Sequence, residues 1–298
     1  MRVFVTGATG FIGSAVVAEL IGAGHQVLGL CRSDAKAAAL AAAGAEVFSG
    51  SVDDLDRIGQ GAAQADGVIH LAFNHDFSTF AANCEDDRRV IAALGAALAG
   101  TGKPLIVTSG TGMAKTLPGQ PATEEQGAIS AEVIPRAASE EAANAVAETG
   151  GNVSIMRLPQ VHDPVRQGLV SYVIPVAREK GVFAYVGSGT TRWPAAHISD
   201  VARLYRLAIE RAAPGAIYHA VAEEGVSARD ICETLGKRLN LPVRSITAEE
   251  APGHFGWLAM FVSHDMPASS AITRAVLGWA PTGPDLLTDL ARLQLSEP

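Results

Sequence analysis

The apolar positions of this chain change their period as it runs. Arg2–Val5 is a short β-branched and aromatic run and predicts a strand. A glycine-rich turn follows at Thr6–Gly13 (TGATGFIG). Ser14–Ala23 then spaces Val16, Val17, Leu20 and Ile21 as one helical stripe, stopped by Gly24. The alternation repeats. Strands are predicted at Gln26–Cys31, Glu46–Ser49, Gly67–Leu71, Pro104–Thr108 and Asn152–Arg157. Helices are predicted between them at Asp34–Ala43, Asp53–Gly59, Cys84–Ala99 and Pro135–Glu148. Gly67–Leu71 (GVIHL) shows no polar alternation, so burial on both faces is expected. Six strands with intervening helices predict an α/β fold, a Rossmann doubly wound parallel sheet.

After Arg157 the rhythm weakens. Helices are predicted at Val170–Glu179, Ile198–Ala212, Ala228–Leu239 and Leu286–Leu293, and a strand at Ile217–Val221. Ser227 and Asp230 resemble a capping box. The expected organisation is a dinucleotide-binding core over 1–158. A smaller C-terminal substrate-binding lobe over 159–298 returns segments to that core.

Composition then narrows the partners. The chain has 298 residues, 48% hydrophobic and 18% charged, enough for a large globular core. Its net charge of −8 argues against nucleic acid or an anionic membrane surface. No apolar run approaches the roughly 18 residues of a membrane span. Met1–Gly13 lacks an apolar h-region and a small-residue cleavage site, so no signal peptide is expected. Cys31, Cys84 and Cys232 stand far apart in no metal-ligand spacing, and are expected to be reduced, buried residues of a cytoplasmic protein with no bound metal.

The turn carries the first chemistry. Gly7, Gly10 and Gly13 form G-x-x-G-x-x-G between a strand and a helix. Gly7 allows the tight turn, Gly10 lets backbone approach a pyrophosphate, and Gly13 lets helix pack on sheet. The helix start offers free N–H groups to the phosphates. Gly7, Thr9, Gly10, Phe11, Ile12 and Gly13 are the candidate contacts. An acidic residue at the end of the second strand would favour NAD. Arg32 stands there instead, 19 residues after Gly13 and followed by Ser33. A guanidinium and a hydroxyl suit a 2′-phosphate, so NADP is expected.

These residues resemble the extended, epimerase/dehydratase-like branch of the short-chain dehydrogenase/reductase superfamily. Asp66 with Gly67-Val68-Ile69-His70-Leu71-Ala72 is similar to its DxVIHLA strand. Arg157-Leu158-Pro159-Gln160-Val161-His162-Asp163-Pro164 is similar to its RPxxVYGP segment. Ala196-His197-Ile198-Ser199-Asp200-Val201-Ala202 is similar to VHVxDVA, and Leu277-Gly278-Trp279-Ala280-Pro281 to LGWxP. The resemblance places Ser51 and Val52 against the adenine. It places Leu71, Ala72 and Phe73 along the path to the nicotinamide, Thr108 near its ribose, and Pro159 and Val161 near its carboxamide. It also implies a substrate role for Arg192 and Trp193, against the alternatives of a salt bridge and plain core. A homodimer through the helices Cys84–Ala99 and Pro135–Glu148 would follow the family.

The resemblance breaks at the chemistry. The family's Tyr-x-x-x-Lys falls on Pro135 and Ser139, and the chain has only five lysines and four tyrosines, none between Thr116 and Gly151. Candidate replacements are His75, whose neighbour Asp76 is expected to raise its pKa, then His162, Tyr172, and Ser109 or Thr111. Each has a structural alternative. Arg136 and Glu140, at i and i+4, are expected to pair with each other. Two functions are compatible with this. One is an NADP-dependent oxidoreductase reducing a carbonyl, enone or imine of a small molecule without the usual pair. The other is a non-catalytic NADP-binding redox sensor. A nucleotide-sugar epimerase or dehydratase fits less well, because those enzymes depend on the Tyr-Lys pair.

Overall fold

The chain alternates strand and helix through its first half in the computed structural model, which describes residues 1–117 and 119–294. The strands are β1 (Arg2–Thr6), β2 (Gln26–Cys31), β3 (Glu46–Ser49), β4 (Gly67–His70), β5 (Leu105–Gly110) and β6 (Val153–Leu158). The helices between them are α1 (Phe11–Gly22), α2 (Asp34–Ala42), α3 (Leu55–Ala63), α4 (Phe80–Leu98) and α5 (Ala138–Glu148). There follow β7 (Gln160–His162), α6 (Val170–Lys180), β8 (Phe183–Val186), β9 (Arg192–His197), α7 (Ile198–Arg211), β10 (Ile217–His219) and β11 (Glu223–Ser227). The chain ends with α8 (Ala228–Leu239), β12 (Val243–Ile246), α9 (Ala251–Phe255), α10 (Ala259–Val262), α11 (Ala271–Leu277) and α12 (Leu286–Ala291).

Seven strands form one sheet in the order β10-β6-β5-β4-β1-β2-β3. All its pairs are parallel. Strand order reverses between β1 and β4, which opens a crevice at their carboxyl ends. Both faces of the sheet are covered, so its strands are nearly continuous apolar runs. Val5, Ile69 and Met156 face α1 and α7, packing on Leu20 and Tyr205. Phe4, Val107 and Val153 face the other way, onto Ile58, Ile91 and Leu94. β4 is buried along its whole length, as its lack of alternation predicts.

α1 starts at Phe11 rather than Ser14. Gly10 is extended (φ −81°, ψ 175°) and acts as N-cap, so the end of the glycine turn is already helical. The small lobe holds strands that the apolar pattern does not announce. β11, β9 and β7 form a three-stranded sheet, and β12 pairs with β8. β7 has three residues and β9 carries Pro194, which lacks a ladder donor. Side chains of β8, β9, β11 and β12 join a separate core around Val173, Phe183, Trp193, Leu235 and Leu290. Asp200, on α7, fastens the C-terminal segment. It accepts from the Thr282 and Gly283 amides at 2.9 and 2.7 Å, and its carbonyl accepts from the Trp279 indole at 3.0 Å.

Arg157 and Glu140 form a fully buried ion pair where α5 meets β6. The guanidinium fork meets both carboxylate oxygens, at 2.9 and 2.7 Å. Removing one partner strands the other charge in the core. Glu140→Ala is expected to cost about 3–5 kcal/mol in urea unfolding. Arg89→Ala, which breaks an exposed pair with Asp86, should leave the midpoint unchanged.

Candidate functional site

The crevice is built first by glycine. Gly7 has φ +67°, and a Cβ there would lie 2.8 Å from the Ala72 amide nitrogen. A Cβ on Gly13 would meet the Gly7 carbonyl at 2.0 Å. The turn from β1 is therefore pressed both onto the end of β4 and onto α1. Gly10 carries no side-chain cap, and the first helical bond is from the Ser14 amide to the Gly10 carbonyl. The amides just ahead of Ser14 thus have no acceptor within the helix. That is the geometry of an anion-binding helix start.

Arg32 is exposed at the end of β2 and makes no hydrogen bond or ion pair among the described residues. Ser33 is the N-cap of α2 without a side-chain cap bond. Ser51 donates to Asp53 at 2.8 Å, and Val52 is half-buried beside it. Leu71, Ala72 and Phe73 line the crevice wall in half-buried positions, with the Leu71 and Ala72 amides donating to Thr6 Oγ1. Pro159 is half-buried, whereas Val161 points into the core.

A buried polar network fills the place of the absent Tyr and Lys. His70 links Thr6 Oγ1 at 2.7 Å to Asp87 at 2.9 Å. The second oxygen of Asp87 accepts from Arg136 at 3.1 Å and from the Ser139 hydroxyl. Arg136 also bonds the Ser139 hydroxyl, donates to the Thr108 carbonyl at 3.0 Å, and lies over the Phe73 ring at 4.1 Å. Thr108 Oγ1 donates to the His70 carbonyl at 2.6 Å, so the Tyr205 hydroxyl must donate to it at 2.7 Å. Burial alone would push the Asp87 carboxyl up, but the charge and hydrogen bond of His70, then Arg136 and Ser139, hold it below the usual carboxylate range. Burial raises the Tyr205 phenol, which is fully enclosed and has no path to a reacting atom.

Several expectations are corrected by this geometry. Arg136 does not pair with Glu140. Its partner is Asp87, and Glu140 belongs to Arg157. Ser109 is not free for chemistry, since its hydroxyl is buried and donates to Glu140 at 2.6 Å. Thr111 is buried under the Leu158 carbonyl. His162 has no exposed surface and gives Nδ1 to Asp289 at 2.7 Å, so it cannot reach a substrate. Asp76 does not raise the His75 pKa, because its carboxylate is turned to the Ser78 amide and hydroxyl. The His75 pKa is instead lowered, first by desolvation and then by the Arg136 charge. Trp193 is core, 6% exposed, with its indole donating to the Phe261 carbonyl. Arg192 is held by Asp265 through two guanidinium contacts at 3.1 and 2.7 Å. Two of the acid candidates stay exposed beside aromatic rings: His75, edge-on to Phe73 at 5.1 Å, and Tyr172, against Phe77 and Trp257 at the mouth. Asp87 and Arg136 are the residues that local spacing misses, because their partners lie on elements distant in sequence.

The Asp87 carboxyl has a sign that can be checked. Held below its unfolded value, it stabilises the fold fully above about pH 4, and that stabilisation fades as pH falls through the folded value. Asp87→Asn should therefore cost about 3 kcal/mol at neutral pH, with the difference from wild type narrowing in acid unfolding series.

Similarity to known proteins follows the same lines. Residues 3–222 match the NAD dependent epimerase/dehydratase family. An uncharacterized protein of Schizosaccharomyces pombe is 48% identical over 292 residues, covering 98% of each chain. An uncharacterized protein of Saccharomyces cerevisiae is 42% identical over 293 residues, covering 97% of this chain and 98% of its own. Among solved structures, dTDP-glucose 4,6-dehydratase from Streptomyces venezuelae, with NAD and TYD bound, superposes with a TM-score of 0.78 at 20% identity, covering 98% of this chain and 95% of that one. With its glycine turn, its strand order and this match over most of its length, the chain belongs to the NAD dependent epimerase/dehydratase family.

Proposed function

We propose that this chain is an NADP-dependent oxidoreductase that reduces a carbonyl, enone or imine of a small molecule. One observation carries the cofactor choice: Arg32 is exposed and, among the described residues, unpaired at the end of β2, next to Ser33, whose hydroxyl makes no cap bond to α2. Gly7, Gly10 and Gly13 give the pyrophosphate its cradle, and Ser33 adds a hydroxyl to the 2′-phosphate site. Thr9, Phe11 and Ile12 flank that cradle, and Ser51 and Val52 border the adenine. Leu71, Ala72, Phe73 and Thr108 lead to the nicotinamide, and Pro159 adjoins its far side.

The cofactor supplies the hydride. The chain's own work is to orient the acceptor and to stabilise the charge that develops on it. Arg136 is the cation for that task. Asp87, Ser139 and the Thr108 carbonyl fix it at the carboxyl ends of β4 and β5, and a fixed charge needs no reorganisation when the electron pair moves onto oxygen. The carbon receives the hydride, the oxygen takes the π pair, and a proton arrives from solvent at the mouth.

A second reading is a cofactor-binding regulator without turnover. It is favoured by the burial of Ser109 and His162, which takes both hydroxyl and imidazole out of the crevice. Oxidation of NADPH with ketones, aldehydes, enones and imines separates the two. Turnover abolished by Arg136→Met supports the reductase. Tight NADPH binding without turnover on any member supports the regulator.

The cofactor choice has its own test. Charge-assisted bonds of about 1.5–3 kcal/mol correspond to roughly 10- to 100-fold in affinity. Arg32→Asp should weaken NADPH by that factor in fluorescence titration and leave NADH nearly unchanged. Equal loss for both would refute the 2′-phosphate role.

A further inference from the structure

Aromatic residues are scarce in this chain, sixteen in all, yet six meet at one place. Phe77 and Trp257 stack at 4.2 Å with an interplanar angle of 22°. Tyr172 presents an edge to both, at 5.8 and 5.4 Å. Phe80 continues the row from Phe77 at 5.6 Å and reaches Phe73 at 6.2 Å. Phe73 carries the Arg136 guanidinium on its face. The row thus runs without a break from the fixed cation of the crevice to the surface. It is drawn from both sides of the site: Phe77 follows β4, Tyr172 lies on α6, and Trp257 follows α9.

Its outer rings are not core. Trp257 is 44% and Tyr172 38% exposed, whereas Phe4, Phe183, Tyr205 and Tyr218 are 2% exposed or less. Exposing stacked rings to water is costly unless something covers them. The surrounding charge says what that is not. Arg192, on the substrate lobe, is already neutralised by Asp265, and the hollow beside it is lined by Glu223 and Asp230. A diphosphate there would meet three carboxylates, Glu223, Asp230 and Asp265, against the one guanidinium of Arg192.

We propose that Phe77, Tyr172 and Trp257 form the binding wall for an uncharged aromatic ring, and that the substrate is an aryl carbonyl compound rather than a sugar nucleotide. The ring lies against the wall and the carbonyl points along the row toward Arg136. This names the substrate class of the reductase site and rests on that reading for its chemistry, while the ring-binding itself does not require turnover.

The test is calorimetric titration of the NADP-saturated protein with three probes: 2-acetylnaphthalene, its saturated counterpart cyclohexyl methyl ketone, and UDP-glucose. The naphthyl ketone should bind about tenfold tighter than the saturated one, with UDP-glucose weakest. Trp257→Ala should remove that preference, Trp257→Phe should keep most of it, and both should stay folded with the wild-type NADP affinity. Equal binding of the two ketones, binding of UDP-glucose above either, or an unchanged preference in Trp257→Ala would each overturn the proposal. The two readings fail separately. Ring preference without NADPH oxidation keeps the wall and removes the reductase. Oxidation that is indifferent to the ring keeps the reductase and removes the wall.

Discussion

A buried carboxylate organises this site. Asp87 sits on α4 with 4% of its side chain exposed, and an ionised carboxyl at that depth is unstable unless donors surround it. It recruits three: the His70 imidazole from β4, the Arg136 guanidinium, and the Ser139 hydroxyl from α5. Each recruited group then holds something else. His70 ties β4 to Thr6 at the start of the glycine turn, and Arg136, just ahead of α5, donates to the Thr108 carbonyl on β5. One charge thereby sets the spacing of β1, β4 and β5 at their carboxyl ends, where the crevice opens. The second buried pair, Glu140 with Arg157, does the same for α5 and β6 and takes Ser109 out of the chemistry.

Much of the fold was legible because parallel strands covered on both faces leave a plain record. Val3-Phe4-Val5 and Gly67–His70 are short buried runs, and parallel α/β sheets covered by helices on both faces use such runs in alternation with helices. The glycine turn was legible for a similar reason: no other residue fits at Gly13, 2.0 Å from a carbonyl. What escaped is what depends on tertiary partners. β7 is too short to show a period, and β9 is broken by Pro194. Arg136 and Glu140 have the spacing of a helical ion pair, but each found a buried partner on another element, and a desolvated partner outweighs an exposed neighbour. Asp76 looked like a companion for His75 by adjacency alone, yet it spends its carboxylate capping the next turn.

The site that results keeps the family's place and changes its contents. Where the family resemblance implies a phenol and an ammonium, this chain has Pro135 and Ser139, and the guanidinium of Arg136 lies between them in sequence. Arginine cannot give up its proton at neutral pH, so it supplies charge and hydrogen bonds and no acid. Such a site suits reactions in which hydride movement dominates and solvent completes the protonation. On the proposed reading, the aromatic mouth and the Arg192–Asp265 pair point the substrate lobe in the same direction, toward uncharged molecules.

The central claim is that Arg136, held by Asp87, has taken over the cationic role at the nicotinamide end of the crevice. A crystal structure of the NADPH complex tests it most directly. The account predicts the Arg136 guanidinium within hydrogen-bond reach of the nicotinamide ribose or of an acceptor oxygen beside C4, with its contact to Asp87 intact. A nicotinamide bound away from Arg136, or an Arg136 swung out to solvent with Asp87 paired elsewhere, would contradict it.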